Sequence, residues 1–144
     1  MTMHVKAAGS WHETAPSIKE GGVWKPIRQG WIKDAGTWKE FFAESALIAS
    51  ASPATAFGEG VGAASVTSNT VTVSVTGGIA PYTYSWSRVS GATFVILNPT
   101  SPTTAFNAFV PYASTLTGIY RCTISHAGLG TTYVDVPVEL STTF

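Results

Sequence analysis

The sequence predicts an all-β chain in two parts: a small N-terminal β-hairpin repeat or meander, followed by a β-sandwich. Three observations lead there. The 144 residues are 44% apolar but only 11% charged, with eight basic and eight acidic side chains in formal balance. A seven-residue unit ending in Trp occurs three times within the first 38 residues. From residue 56 onward, short β-branched and aromatic runs alternate with turn signals at short spacing. The composition excludes a disordered chain, which needs low hydrophobicity and high net charge. The absence of a net positive field argues against nucleic-acid binding. Cys122 is the single cysteine, so neither an intrachain disulfide framework nor a Cys-based zinc site is available. No apolar run is long enough to span a bilayer, and no membrane insertion is expected. Met1–Lys6 lacks the basic and apolar regions of a signal peptide, which leads to the expectation of a soluble cytoplasmic product.

The repeat units are Val5–Trp11, Ile18–Trp24 and Ile32–Trp38, each reading β-branched, Lys, any, small, Gly, any, Trp. Their tryptophans are spaced by 13 and then 14 residues. Such a unit predicts a hairpin: a strand ends, a polar-small-Gly turn reverses the chain, and Trp opens the next strand. Gly9, Gly22 and Gly36 are expected at the positive-φ position of three-residue loops. Arg28-Gln29-Gly30 reads as a reversal between units, and Pro26 as an edge-strand residue. Four tryptophans, Trp11, Trp24, Trp31 and Trp38, are more aromatic surface than so short a segment can cover. They form the core of a small meander, dock onto a partner or sister subunit, or stack on sugars. Lys25 and Lys39, next to two of them, are expected at the rim of such an interface.

Charge marks the division of the chain. Residues 1–42 hold six basic and four acidic groups, including all five lysines, for a net of +2. Residues 43–144 hold two arginines and four acids, a net of −2, with 30 of the 35 Ser and Thr. The small, polar stretch from Ala43 to Pro53 reads as a connector, with room for a helical turn over Phe41–Ile48 that Pro53 would stop. These features predict an anchor segment at 1–45 and a sandwich at 46–144. About seven strands are expected in the latter: near Ala63–Thr67, Val71–Val75, Tyr82–Ser87, Phe94–Leu97, Ala105–Val110, Ile119–Ser125 and Thr132–Leu140.

A search for chemistry finds little. Gly58-Glu59-Gly60-Val61-Gly62-Ala63 fits a dinucleotide fingerprint only by force, because a loop precedes it and strands follow it. His4, His12 and His126 share no metal-ligand spacing, and His126 reads as a surface loop residue beside a glycine turn. No nucleophile elbow occurs, and Cys122 is expected to be buried. Glu59, Asp135 and Glu139 are dispersed acids, too sparse for a calcium loop. Neither catalytic residues, a metal nor a cofactor is expected, and the sequence reads as that of a non-enzyme.

Val73, Trp86 and Cys122, separated by 13 and 36 residues, occupy positions that resemble the first core cysteine, core tryptophan and second cysteine of an immunoglobulin-like domain. Gly118-Ile119-Tyr120-Arg121-Cys122 resembles its tyrosine corner, and Gly77–Trp86 is similar to the corresponding strands of PKD-like domains. The resemblance covers about residues 48–144. It implies a core of Val73, Trp86, Tyr120 and Cys122; valine at 73 departs from the pattern and leaves Cys122 a free thiol against Trp86. Taken whole, the Val/Ile-Lys-x-Gly-Gly-x-Trp-Lys repeats ahead of a Lys-free domain resemble small virion structural proteins of tailed bacteriophages, most clearly in Ile18–Lys25 and Ile32–Lys39. That resemblance implies a tail-associated protein of the virion, assembled in the host cytoplasm. Trp11, Trp24, Trp31, Trp38, Lys25 and Lys39 would form its anchor. The implied partners are other tail or capsid proteins, with a homo-oligomer or multiple copies on the particle and weak contact with host-surface glycans. Two alternatives stand beside it: a capsid decoration or head-fibre protein, and a carbohydrate-binding module using Trp11, Trp24, Trp31 or the Tyr82/Tyr84 strand.

Overall fold

The computed structural model describes residues 3–7, 10–14, 17–26, 29–43, 46–78, 80–126 and 130–144, with side chains in the first 45 residues described at 21–23, 30, 31 and 33–38. The described chain is all-β, in antiparallel and mixed sheets.

Three two-stranded hairpins come first: β1 (Met3–Ala7) with β2 (Ser10–Thr14), β3 (Ser17–Glu20) with β4 (Val23–Pro26), and β5 (Gln29–Asp34) with β6 (Thr37–Ala43). The turns differ from the expected three-residue loops. Gly21 and Gly22 lie at φ 57° and 83°, and Ala35 and Gly36 at 46° and 83°. Two successive positive φ angles define a two-residue type I′ turn, whose twist matches the flanking strands. The expected loop at Gly9 falls outside the described residues. Gln29 and Gly30 are not a reversal but the start of β5, with a register irregularity at Gly30/Trp31; Arg28 lies outside the described residues. The helical turn expected over Phe41–Ile48 is also corrected, since β6 runs to Ala43 and β7 (Ile48–Ser52) begins at Ile48.

Nine further strands follow: β8 (Ala56–Val61), β9 (Ala64–Thr67), β10 (Val71–Thr76), β11 (Tyr82–Gly91), β12 (Val95–Ile96), β13 (Thr103–Thr104), β14 (Phe106–Val110), β15 (Thr115–His126) and β16 (Thr131–Thr143). A four-stranded sheet has the order β11-β15-β16-β8, with β8 parallel to β16 and the other neighbours antiparallel. Two three-stranded sheets have the orders β13-β10-β7 and β12-β14-β9. The same two chain runs supply both central pairs, because β9 leads into β10 and β13 into β14. At the break, Ser68 N–H donates to the Phe106 carbonyl (2.8 Å) while Phe106 N–H donates to Ser68 Oγ (3.0 Å). A buried serine hydroxyl thus substitutes for the missing ladder carbonyl, leaving no orphaned amide.

Strand parity builds the core. Even positions of β15 and β16 turn inward: Tyr120, Cys122, Ile124, Val136, Val138 and Leu140 are all at most 1% exposed. They meet Val66, Val71, Val73, Phe106 and Val110 from the three-stranded sheets. Trp86 packs edge-on against Phe106 (5.7 Å between centroids), and Phe106 against Tyr120 (4.8 Å). Pro137 sits inside β16 without breaking the sheet. Thr142 N–H bonds toward β15, at Ser114, and the Thr143 carbonyl bonds toward β8, at Gly62. By alternation, Pro137 turns its nitrogen to the β8 side, one residue before the first β8 pairing at Val138↔Ala56.

Candidate binding surfaces

The hairpins hold the tryptophans in a common register. Trp11 stands opposite Lys6, Trp24 opposite Lys19 and Trp38 opposite Lys33. A two-residue turn flanked by one pair of residues requires this, because four residues separate Lys from Trp in each unit. Lys25 pairs with Ile18 and Lys39 with Ile32, one position out of step with the tryptophan rows. The cross-strand partner of the tryptophan that closes each unit is therefore the lysine before the turn, a pairing the sequence reading did not draw, whereas Trp31 pairs with Glu40. The side chains of Trp11, Trp24, Lys25 and Lys39 lie outside the described ones. In β5–β6, directly opposed residues share a face, so Trp31, Lys33 and Trp38 lie together. Trp31 is 50% and Trp38 62% exposed. Lys33 Nζ lies 5.9 Å from the Trp38 ring centroid, a cation–π arrangement.

Val73, Trp86, Tyr120 and Cys122 are buried. Trp86 pairs with Cys122 across β11–β15, and its Nε1–H donates to the Ser101 carbonyl at 3.0 Å. Burial pushes the Cys122 thiol up to about 11, which keeps it protonated and unreactive at neutral pH. Tyr120 departs from a tyrosine corner, whose hydroxyl reaches a few residues upstream. Its hydroxyl instead accepts from Phe94 N–H (2.6 Å) and donates to the Ala92 carbonyl (3.2 Å), fastening β15 to the segment leading into β12. Tyr82 and Tyr84 pack against the core, and Tyr82 donates to the Gly77 carbonyl at 2.6 Å, so neither is an open stacking platform. His126 is the last residue of β15 rather than a loop residue, held so closely that a Cβ on Gly130 would lie 2.9 Å from its Nε2.

Odd positions of the four-stranded sheet face outward. Arg121 and Asp135 stand opposite each other and form a bidentate ion pair, Nε–Oδ1 2.7 Å and Nη2–Oδ2 2.8 Å. The hydrogen bond from Arg121 holds the Asp135 carboxyl below its ordinary value. The guanidinium carbon lies 3.7 Å from the Tyr133 ring centroid, and Tyr133 is 56% exposed. Among the described residues, no group of three His, Cys, Asp or Glu is arranged to hold a metal.

The comparisons with known proteins are sparse. A family model described as the SprB repeat matches residues 64–91, from β9 to the end of β11, well short of half the chain. No curated protein matches. A solved structure of a nucleoside hydrolase-related protein from Saccharophagus degradans, associated with carbohydrate metabolism, aligns with 15% identity and a TM-score of 0.46. The alignment covers 69% of this chain and 26% of that one, so this chain spans about a quarter of its length. The expectation of a non-enzyme is corrected by that finding: a similar chain is described as hydrolase-related, and the expectation is withdrawn. The description belongs to that protein, and no active site is transferred from it at this level of similarity.

Proposed function

We propose that the chain is a tail-associated structural protein of a virion, anchored through its hairpin segment and displaying residues 46–144 as an immunoglobulin-like sandwich. The observation that carries the reading is the β5–β6 face, where two half-exposed tryptophans flank a lysine on a two-stranded sheet. An isolated hairpin is marginal in water, and clustered exposed aromatics at a small element are what a partner covers. Neither comparison names a virion protein, so the reading rests on these hairpins and on the resemblance of the repeats. Support for the sandwich comes from strand order. The first strand of the domain, β7, pairs with β10 in one sheet, the next, β8, crosses to β16 in the other, and β11, β15 and β16 are neighbours. Taking β9–β10 as B, β11 as C, β12 as D, β13–β14 as E, β15 as F and β16 as G gives a strand order that supports the immunoglobulin-like reading.

The test is particle loading. Trp31→Ser/Trp38→Ser is expected to deplete the protein from purified virions, measured by quantitative mass spectrometry, while far-UV circular dichroism of the isolated protein is unchanged. Full loading of the double variant removes the anchor. Gold labelling at Phe144 separates tail attachment from the alternative of a head decoration. A second reading, a carbohydrate-binding module, is favoured by the exposed Tyr133 ring stacked on an ion-paired arginine. A glycan array on the isolated protein, with Tyr133→Ala as control, tests it.

A further inference from the structure

The outward face of the four-stranded sheet carries a groove of about 300 Å³ that no function above uses. It crosses the strands along the row Ser90, Ile119 and Pro137, with Thr117 and Glu139 forming the next row and Thr55, just before β8, also lining it. Three features shape it. A β-bulge between Arg88 and Ser90 displaces the end of β11. Gly91, at φ 80°, brings its backbone so close that a Cβ would lie 2.4 Å from the Thr117 carbonyl oxygen. Ile119 and Pro137 are exposed and opposed, giving an apolar floor. Beside that floor, Glu139 makes no side-chain hydrogen bond or ion pair with any described residue, whereas the neighbouring Arg121 charge is neutralised by Asp135. The groove is thus an apolar floor bordered by the Glu139 carboxylate, with the Arg88 guanidinium held at its β11 end, where Nη1 donates to the Gly91 carbonyl at 2.8 Å.

We propose that this groove receives the Lys33–Trp38 face of the third hairpin from a second copy of the chain. The proposal deepens the anchor reading and rests on it, naming a partner for the same hairpin. Three matches carry it. The hairpin offers an exposed aromatic ring with an ammonium, and the groove offers an apolar floor with a carboxylate. The spacing agrees: Lys33 Nζ and the Trp38 centroid are 5.9 Å apart, and two residues along a strand, the step from the Ile119/Pro137 row to the Thr117/Glu139 row, span about 6.6 Å. The charges agree over a longer range, since residues 1–42 carry a net of +2 and residues 43–144 a net of −2. Trp38 lies over Ile119 and Pro137, and Lys33 pairs with Glu139. Because hairpin and groove are different surfaces, the contact is heterologous and propagates head to tail, giving a ring or a string of copies along a particle.

The experiment is sedimentation velocity of the full chain at rising concentration. Self-association is expected and should weaken in high salt. Glu139→Lys and Lys33→Glu are each expected to weaken it about tenfold, and the two together to recover most of the loss. Trp38→Ser is expected to weaken it roughly thirtyfold or more, as for an interface hot spot. Circular dichroism checks that each variant is folded. A chain that stays monomeric at every concentration overturns the proposal, as does a double charge swap no better than either single change. If the chain is monomeric while Trp31→Ser/Trp38→Ser still empties virions, the second copy is wrong and the anchor stands. If the tryptophan variants load virions and self-associate normally, both fall.

Discussion

Replacing Tyr120 by Phe isolates one buried hydroxyl. The ring contacts with Phe106 and Phe94, at 4.8 and 5.6 Å, survive the change. What is lost is the acceptor for Phe94 N–H, 2.6 Å away in a buried environment, and the donor to the Ala92 carbonyl. A buried amide left without an acceptor costs about 1–3 kcal/mol. The carbonyl adds less, because its second lone pair is easier to satisfy. We expect a total of about 2 kcal/mol, which for a domain of this size lowers the melting temperature by roughly 8–16 °C. Urea unfolding followed by near-ultraviolet circular dichroism measures it, with the m-value unchanged if only the native state is affected. Tyr82→Phe is the internal comparison: its hydroxyl donates to one half-buried carbonyl and supports no amide, so its loss should be about half as large. A Tyr120→Phe loss below about 0.5 kcal/mol, inside the range of ordinary surface changes, would refute the idea that this hydroxyl fastens β15 to the approach of β12.

Gly91→Ala should be severe. It forces a side chain to φ 80° and places a Cβ 2.4 Å from the Thr117 carbonyl oxygen; a loss below about 1 kcal/mol in urea unfolding would contradict that backbone approach. Stability should also fall in alkali through Cys122. Its folded-state value of about 11 lies above the ordinary 9, so its contribution is complete below pH 9 and is lost as pH rises through 11. The unfolding free energy of wild type relative to Cys122→Ser should therefore decline over that window by up to about 3 kcal/mol, and a flat difference would remove the effect. Residues 46–144 should unfold cooperatively on their own, and residues 1–42 should not. A cooperative thermal transition in the isolated front segment is the contrary result.

The hairpins were legible because each is local. Lys, Gly and Trp recur within seven residues, and a turn needs nothing from the rest of the chain. The loop length is the part that differs, two residues in place of three at Gly21-Gly22 and Ala35-Gly36. The signal was present in Gly21-Gly22, since adjacent glycines favour a two-residue turn. Strands β7 and β8 were missed for another reason. Ile48-Ala49-Ser50-Ala51-Ser52 and Ala56-Phe57-Gly58-Glu59-Gly60-Val61 lack β-branched runs, and they are strands because β10 and β16 supply their ladders. The glycines of β8 are packing residues: a Cβ on Gly58 would lie 2.7 Å from the Thr67 carbonyl oxygen, and one on Gly60 2.9 Å from Val66 Cγ2. The groove was invisible because it exists only through register. Ile119 and Pro137 are far apart in sequence and opposite in the sheet.

Strand parity also separates what holds the fold from what is free to bind. Along β15 and β16 the inward positions include Tyr120, Cys122, Ile124, Val136, Val138 and Leu140, all at most 1% exposed, and the outward ones carry Ile119, Arg121, Tyr133, Asp135, Pro137 and Glu139. Shifting either strand by one residue would exchange the two sets, so the register that buries the core also assembles the outer face. It follows that substitutions at Glu139 or Tyr133 can alter recognition while leaving the core untouched. The described face of β5–β6 is not covered in this way: its two strands form a separate sheet, and Trp31 and Trp38 are half-exposed. An element that cannot cover its own aromatics gains stability mainly through whatever surface it docks against. On the proposed docking of this hairpin, its formation and assembly are one equilibrium, and amide protection in β5 and β6 should rise with protein concentration while protection in β15 and β16 stays constant.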